Sequence, residues 1–410
     1  MHTRTFDSRR HRSQGVAEGV ALALAQGLLR GRLTVHLHDG GTRVFEGNEA
    51  GPAGEISVRH PRLFRRLLGS GNIGLAESYI DGDWDSPDLT TLLALGAANE
   101  EVLGRTLAGR LLPRLASRLV HALRANSRRG SRRNIAAHYD LGNDFYAAWL
   151  DPSLTYSAGL FASPADDDLA AAQDRKYRRI AELAGIEPGH HVLEIGCGWG
   201  GFCIWAARTL GCRVTAITIS REQHRHCVER VRAEGLEDRI ELRLQDYRDL
   251  DGEYDAVVSI EMLEAVGEAY WPTYFDRLRA CLRPGGRAAL QVITIDDRRF
   301  PAYRRRADFI QRYIFPGGML PPPTALETLV KDAGLTLTEM HRHGGDYART
   351  LTLWRRRFER AWPEIAGSAP RFDERFRRLW RFYLAYCEAG FQAGRIDLLH
   401  LALQRDRPTP

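Results

Sequence analysis

The feature that most constrains this chain is a glycine-rich stretch that follows a short apolar run. The run Val192–Ile195 leads into glycines at positions 196, 198, 200 and 201, and apolar residues resume at Phe202. This pattern is typical of a buried strand, a tight turn and the start of a helix. Glycines are needed where the backbone turns sharply and a ligand approaches without interference from Cβ atoms. The stretch therefore predicts a nucleotide-cofactor loop in an open α/β sheet.

The spacing of the loop and the strands that follow it indicate which cofactor. The glycines read Gly-x-Gly-x-Gly-Gly after Glu194, and the acidic residue that a dinucleotide fingerprint places about 20 residues further on is missing. Further strands are predicted at 213–218, 240–244 and 254–260, and polar side chains follow them: Thr218, Gln223, Asp246, Tyr247 and Glu264. This succession predicts an α/β, Rossmann-like class I S-adenosylmethionine-dependent methyltransferase.

Composition limits the class of protein further. The net charge is +6, carried mostly by arginine, which suits either an anionic partner or simply a solvated arginine-rich surface. The six cysteines have no paired spacing, and this favours a reduced, cytoplasmic protein. No apolar run reaches the roughly 18 residues of a membrane span, and no secretory leader is recognisable. We expect a protein that is soluble or lies on a membrane surface, with no metal site.

The chain divides into segments of different composition. Residues 1–14 are polar and basic and are predicted to be a disordered tail, and residues 15–100 form an N-terminal domain with a hairpin at Asp39-Gly. Residues 71–85 form either a functional loop or a capped turn. Residues 101–133 hold nine arginines and leucines four residues apart, which predicts a basic amphipathic linker. Such a linker either binds a membrane surface or packs its leucines on the protein.

Residues 134–410 are assigned to a catalytic domain. Its first part, residues 134–161, is predicted to fold over the cofactor as a lid. An apolar insertion at about 295–325, with glycine hinges, is placed where it would shape an acceptor pocket. The tail from Phe372 to Leu403 is predicted to be helical, and its aromatic residues at helical spacing favour a core over nucleic-acid binding. No nucleic-acid partner is expected.

Several strings in this order resemble the cyclopropane-fatty-acyl-phospholipid synthases, which include enzymes like the mycolic acid cyclopropane synthases, over nearly the whole chain. The matching strings begin at Gly74, His138, Leu154, Leu193, Thr218, Tyr313, Asp346 and Cys387. The resemblance implies a seven-stranded methyltransferase sheet with a small N-terminal α+β lipid-binding domain. It also implies an enzyme of the cytoplasm, bound peripherally to anionic phospholipid on the inner face of the cell membrane. A homodimer is one candidate assembly.

The resemblance implies S-adenosylmethionine as the donor and assigns residues to it. These are Tyr139, Tyr156, Ser157, Glu194, Gly196, Gly198, Gly200, Thr218, Gln223, Asp246 and Tyr247. In the family the alkene of an acyl chain attacks the sulfonium methyl, and a bound bicarbonate removes a proton from the resulting cation to close a cyclopropane ring. The positions implied for that step are Ala158, Glu264, Gln291, Ile293 and Tyr347.

Three of the bicarbonate positions depart from the family pattern. Ala158 replaces a cysteine, Ala265 a histidine after Glu264, and Gln291 a histidine on the fifth strand. Bicarbonate would bind more weakly, or Glu264 would act directly as the base with a pKa raised by burial, or the cation would lose another proton. We expect cyclopropane formation on phospholipid acyl chains. The alternatives are a methyl-branched or methylene product, and a catalytically silent protein that binds lipid or S-adenosylmethionine.

Overall fold

The computed structural model describes residues 8–101, 141–163 and 165–407, with side chains from residue 15 onwards. The chain forms two compact units. The first takes residues 1–119 together with 366–393, and the second takes residues 120–365 together with 394–410. Each unit contains its own β-sheet. Of the predicted linker, residues 101–133, all but Glu101 lie outside the described residues.

The N-terminal unit is built on a four-stranded sheet with the strand order β2-β1-β3-β4. The strands are β1 (Arg30–His36), β2 (Thr42–Glu46), β3 (Glu49–Val58) and β4 (Trp84–Asp85). Strands β1 and β2 are antiparallel across the turn in which Gly41 N–H donates to Asp39 Oδ1 at 2.9 Å. The predicted hairpin is therefore confirmed.

Helices cover this sheet, and one of them corrects the prediction for the N-terminus. They are α1 (Ser8–Ala25), α2 (Arg62–Ile80) and α3 (Leu89–Ala98). Helix α1 begins at Ser8, so residues 8–14 start a helix and do not belong to a disordered tail. Arginine and glutamine have high helix propensity, and no glycine or proline interrupts these residues.

The segment 71–85 is held by contacts of its own unit. Helix α2 kinks at Gly71, where φ is 56°. Asp83 is 1% exposed and accepts from Arg62 Nε at 3.0 Å. Trp84 is fully buried, and its indole N–H donates to Leu75 O at 3.1 Å. These contacts favour the capped turn of the two alternatives.

A helix from the far end of the chain completes the N-terminal unit. This helix, Glu374–Gln392, is α13 in chain order. Buried Arg378 on α13 donates to Asp85 Oδ1 at 2.8 Å and to Trp84 O at 2.7 Å, and its guanidinium lies 4.1 Å from the centre of the Tyr79 ring. The prediction that every residue after 134 belongs to the catalytic domain is thus wrong for residues 366–393. A helix that returns to residues almost 300 positions earlier cannot be assigned to a unit from its place in the sequence.

The catalytic unit contains a seven-stranded sheet in the order β10-β11-β9-β8-β5-β6-β7. The strands are β5 (His191–Ile195), β6 (Arg213–Thr218), β7 (Ile240–Leu244), β8 (Tyr254–Ile260), β9 (Leu282–Ile295), β10 (Thr336–Arg342) and β11 (Ile396–Gln404). Strands β5 to β9 pair in parallel, and β11 is antiparallel to both β9 and β10. The predicted Rossmann-like, seven-stranded α/β fold is confirmed.

Helices cover both faces of this sheet. They are α4 (Asn143–Ala147), α5 (Leu169–Leu183), α6 (Gly201–Leu210), α7 (Arg221–Ala233), α8 (Trp271–Cys281), α9 (Phe300–Tyr303), α10 (Phe309–Tyr313), α11 (Pro323–Asp332) and α12 (Gly344–Ser368). Successive strand residues face opposite layers: Val257 packs with the core under α8 and α11, and Val258 with the core under α5 and α6. Among the described residues, no helix has the length and apolar character that crossing a membrane requires.

The last strand, β11, corrects the predicted tail. The chain leaves helix α13 at Gln392, turns at Gly394 with φ 61°, and runs as a strand from Ile396 to Gln404. The apolar run around Leu398–Leu403 is buried between two neighbouring strands. A continuous apolar run suits a strand buried on both faces as well as a buried helix, and the prediction of a helix to Leu403 was wrong.

Candidate active site

The polar residues predicted for the site lie along one edge of the catalytic sheet. Strands β5, β6, β7 and β8 are parallel, so their carboxyl ends meet at the same edge. Glu194 lies near the end of β5, Thr218 ends β6, Asp246 follows β7 and Glu261 follows β8. The fold therefore brings together residues that are far apart in the sequence.

The glycine-rich loop has the conformation that its sequence predicts. Gly196, Gly198 and Gly200 have φ values of 88°, 54° and 86°, a region that side chains with a Cβ rarely adopt. Gly196 N–H donates to Ile217 O at 3.0 Å, which holds the loop against β6. A Cβ atom at Gly196 would also lie 2.9 Å from Met262 Cγ. The loop needs glycine here for both its backbone and its packing.

Glu194 is the buried acid before this loop. It is 3% exposed, and its Oε2 atom has no hydrogen-bond partner within the described residues. Burial raises the pKa of Glu194 to about 8. An unpartnered buried carboxyl oxygen next to a glycine turn is the arrangement expected where a ligand group supplies the missing donor.

The next two strand ends, those of β6 and β7, carry Thr218, Gln223, Asp246 and Tyr247. Thr218 Oγ1 donates to Gln223 Oε1 at 2.9 Å, and both residues are buried. Asp246 accepts from Arg248 at 2.8 and 2.7 Å, a partner that sequence analysis missed. Burial raises the pKa of the Tyr247 hydroxyl to about 12, so the ring stays neutral.

The segment around Tyr156 and Ser157 is held by hydrogen bonds from two side chains of helix α5. Buried Lys176 donates through Nζ to Ser157 Oγ at 2.9 Å, and Gln173 Nε2 donates to Ser157 O at 2.8 Å. Burial lowers the pKa of Lys176 to about 8. Sequence analysis missed both residues, although polar residues three apart on the apolar face of an amphipathic helix are a signal that could have found them. Tyr139, the other residue predicted here, lies outside the described residues.

An aromatic cluster surrounds the Tyr156 ring. The centre of this ring is 5.2 Å from that of Trp354, 5.6 Å from Trp149 and 6.4 Å from Phe315. Trp149 and Trp354 are fully buried. Phe315 belongs to the predicted apolar insertion, which therefore does reach the residues assigned to the site.

Two glutamates follow strand β8, and the structure brings both to the predicted site. Glu264 Oε1 accepts from the N–H of Ile293, while its Oε2 is buried with no partner within the described part of the chain. Burial first, and then the charge of Glu261, raise the pKa of Glu264 to about 8. Glu264 is therefore mostly protonated at neutral pH.

Glu261 is the central residue that sequence analysis did not single out. Its Oε1 accepts from Ala158 N–H at 2.9 Å and from Gln291 Nε2 at 2.7 Å. Its Oε2 accepts from the Tyr347 hydroxyl at 2.5 Å. Burial raises the pKa of Glu261, while these three donors and Lys176 act to lower it. Three predicted catalytic residues thus converge on one unpredicted carboxyl group.

Gln291 is oriented by a buried histidine on β11. Its Nε2 faces two acceptors, Glu261 Oε1 and Ala158 O, so its Oε1 must be the atom that faces His400 Nε2 at 2.8 Å. His400 must then donate from Nε2. Burial holds the pKa of His400 well below its usual range, so the ring is neutral. Ala265, which replaces the family histidine, is exposed.

Known proteins match this chain over most of its length. The family model for mycolic acid cyclopropane synthetase matches residues 126–401. The chain belongs to this family. It is 41% identical over 409 residues to tuberculostearic acid methyltransferase UfaA1 of Mycobacterium tuberculosis, covering 96% of this chain and 94% of that protein. It is 36% identical over 368 residues to cyclopropane-fatty-acyl-phospholipid synthase of Escherichia coli (strain K12), covering 87% and 89%.

A solved structure of the family agrees with the fold. Mycolic acid cyclopropane synthase CmaA1, complexed with SAH and CTAB, has a TM-score of 0.60 and 28% identity, covering 67% of this chain and 98% of that one. The family recognised from the sequence is therefore confirmed. The protein is an enzyme, a methyltransferase of the cyclopropane synthase family that uses S-adenosylmethionine.

Proposed function

We propose that the protein transfers a one-carbon unit from S-adenosylmethionine to the cis double bond of an unsaturated fatty acyl chain in a membrane phospholipid. The observation that carries this proposal is the aromatic cluster at Tyr156. Tyr156, at the centre of this cluster, lies two residues before Ala158, whose N–H donates to the Glu261 carboxyl group. Such surroundings accept a hydrocarbon and offer little to a polar nucleophile.

The residues at the strand ends fit S-adenosylmethionine. The buried, unpartnered Oε2 of Glu194 and the turn at Gly196, Gly198 and Gly200 suit a zwitterionic ligand held close to the backbone. The Thr218–Gln223 pair and Asp246 with Tyr247 supply hydroxyl, amide and carboxylate groups for the nucleoside. Tyr156 and Ser157 would cover the cofactor, as would Tyr139.

When bound, the cofactor supplies an activated methyl group on a sulfonium centre. The protein's own task is to align the alkene, exclude water and control the positive charge that methyl transfer leaves on the acyl chain. Aromatic faces attract a nearby cation by about 0.5–2 kcal/mol each. Trp354, Tyr156 and Tyr347 would supply such faces; the Trp354 ring centre is 5.2 Å from that of Tyr156 and 6.2 Å from that of Tyr347.

The names of the relatives support a lipid acceptor. The two sequence relatives are called a tuberculostearic acid methyltransferase and a cyclopropane-fatty-acyl-phospholipid synthase, and each matches most of this chain. Both names denote enzymes that act on fatty acyl chains. Because the family and its named members are enzymes, we do not retain the silent-binding alternative.

The product follows from the fate of the cation. Loss of a proton closes a cyclopropane ring or, after a hydride shift between the two former alkene carbons, leaves a methylene group. These products are isomers, each heavier than the acceptor by one CH₂. We propose the ring as the first candidate. The methylene chain is the second, favoured by Ala158, Ala265 and Gln291 and by the 41% identity to UfaA1. A saturated methyl branch would also need a hydride donor.

We also propose peripheral membrane association at the cytoplasmic face. Arginines between residues 105 and 133, which lie outside the described residues, would contribute about 1 kcal/mol each near an anionic surface. The N-terminal unit would bind lipid. Salt-insensitive co-sedimentation with anionic liposomes would contradict this electrostatic part.

The test of the proposed function is analysis of lipids from cells that express the protein. Mass spectrometry should detect phospholipid acyl chains that are heavier by one CH₂. When the methyl group of the donor is isotopically labelled, the added carbon should carry the label. Proton NMR of the purified lipid then separates the candidates, because ring protons resonate at high field and methylene protons in the alkene region. Absence of any heavier species would refute the proposal.

A further inference from the structure

The Glu261 carboxyl group accepts hydrogen bonds from three groups of the site. Ala158 N–H and the Nε2 group of Gln291 can only donate hydrogen bonds, so Glu261 Oε1 is an acceptor without a proton. The Tyr347 hydroxyl donates to Oε2. Ala158, Gln291 and Tyr347 are the positions that the family resemblance assigns to bicarbonate. Here the acceptor of their hydrogen bonds belongs to the protein chain.

The backbone at Glu261 is held in a conformation that disfavours a side chain. Its φ is 51°, and Leu154 is the other non-glycine residue with positive φ in the described ranges. Both lie at this site, since Leu154 precedes Tyr156 by two residues. Glu261 N–H donates to Gln291 O at 2.8 Å, so strand β9 fixes the backbone that aims the carboxyl group. Strain of this kind persists where the surrounding structure imposes it, and it clusters at functional sites.

The two glutamates have different surroundings. Glu261 receives three hydrogen bonds and lies near the Lys176 ammonium group, and both features favour the carboxylate. In the described part of the chain, Glu264 receives a hydrogen bond from Ile293 N–H, and burial together with the Glu261 charge favours its neutral form. Burial raises the pKa of both groups, and the donors and the Lys176 charge counteract this rise at Glu261. In a pair of carboxyl groups with unequal surroundings, the group whose charge is better compensated is the candidate base.

We propose that Glu261 is the catalytic base, which makes the reaction independent of bicarbonate. The inference rests on the proposed function. The alkene electron pair forms the new C–C bond to the methyl carbon, and the S–C bond pair stays with sulfur. A methyl C–H proton of the resulting cation then passes to Glu261 Oε2, which within the described residues accepts from the Tyr347 hydroxyl alone. The C–H electron pair closes the ring or forms the methylene double bond.

The first experiment compares turnover on unsaturated phospholipid vesicles in carbon-dioxide-depleted buffer and in bicarbonate buffer. Wild type should be equally active in both. Glu261→Gln, which keeps the shape and removes the base, should lose about 100-fold or more, since a general base contributes 10²–10⁴-fold. Glu253→Gln is the matched control, because exposed Glu253 precedes the same strand at its opposite end. It should retain wild-type turnover.

The second experiment uses Glu261→Gly and a readout that does not depend on activity. Glycine tolerates the positive φ and removes the carboxyl group, so the freed donors should bind a small anion. Carbon-13 NMR with labelled bicarbonate or formate should show binding to Glu261→Gly and none to wild type. The same anions should restore part of the lost turnover.

Several outcomes would overturn the inference. These are a bicarbonate requirement of wild type, more than a tenth of wild-type turnover in Glu261→Gln, equal losses in Glu253→Gln, and anion binding by wild type. Calorimetry of S-adenosylmethionine binding is the folding control, and a parallel loss of cofactor affinity would make Glu261 structural. A wild type that converts no lipid would instead refute the proposed function. In that case, anion binding to Glu261→Gly would still test whether the Glu261 carboxyl group occupies an anion site.

Discussion

Replacement of Glu264 by glutamine should stabilise the enzyme, and the gain should grow with pH. Burial raises the pKa of Glu264 from 4.5 to about 8. Below pH 4.5 the carboxyl group is neutral in both the folded and the unfolded chain. As the pH rises from 4.5 to 8, the unfolded chain releases this proton while the folded chain keeps it. Wild type therefore loses stability across this window.

The magnitude follows from the difference between the folded and unfolded pKa of Glu264. A tenfold change in a proton-binding constant corresponds to about 1.4 kcal/mol, so this difference sets a ceiling of about 5 kcal/mol above pH 8. Glu264 is only partly buried and its charge interacts with that of Glu261, so we expect roughly 2–3 kcal/mol. An uncharged amide does not titrate, and its oxygen can still accept from Ile293 N–H. Glu264→Gln should therefore not lose this stability as the pH rises.

The assay is urea unfolding of wild type and Glu264→Gln, followed by tryptophan fluorescence at pH 5, 6, 7 and 8. The difference in free energy of unfolding should be smallest at pH 5 and should grow by up to about 1.4 kcal/mol per pH unit. Exposed Glu187, 77% exposed at its side chain, gives the control substitution Glu187→Gln, whose difference should be flat. A flat difference for Glu264→Gln would refute the reasoning.

Three further predictions concern the cofactor loop and the residues behind the site. Gly196→Ala should abolish S-adenosylmethionine binding in calorimetry, because φ is 88° and the new Cβ would meet Met262; unchanged affinity would contradict the loop's role. Thr218→Val removes the hydrogen bond to Gln223, worth about 0.5–1.5 kcal/mol, and should weaken cofactor binding by about 2- to 13-fold. Unchanged cofactor affinity would show that the Thr218–Gln223 pair does not contribute to cofactor binding. Lys176→Met removes a charge that lowers the pKa of Glu261, so the rising limb of the pH–kcat profile should move to higher pH; a shift to lower pH would contradict the pairing.

The fold was largely predictable because its strands carry strong local signals. The glycines after Ile195 and the polar residues that follow β6, β7 and β8 are visible in the sequence, and the structure places them at one sheet edge. Strand β11 was missed because its apolar run follows a helix and shows no alternation. Whether such a run pairs with β9 depends on contacts far away in the chain.

The site was predictable only in part. The resemblance named Ala158, Gln291 and Tyr347, which the structure brings to one carboxyl group. That group, Glu261, was missed because in the sequence it resembles the polar end of a strand. A positive φ at a residue other than glycine cannot be recognised from the sequence. Lys176 was missed because a buried charge on a helix is rare. Both depend on tertiary burial, which a local pattern does not encode.

The position of β11 also bears on how the protein is made. Helix α13 completes the N-terminal unit and strand β11 lies inside the catalytic sheet, and both follow all the other helices and strands in the sequence. Domains commonly fold in order as they leave the ribosome. Here neither unit can close until the residues up to Gln404 have been made, so a stop codon before residue 396 would leave a nascent chain with an open sheet that chaperones or proteases could bind.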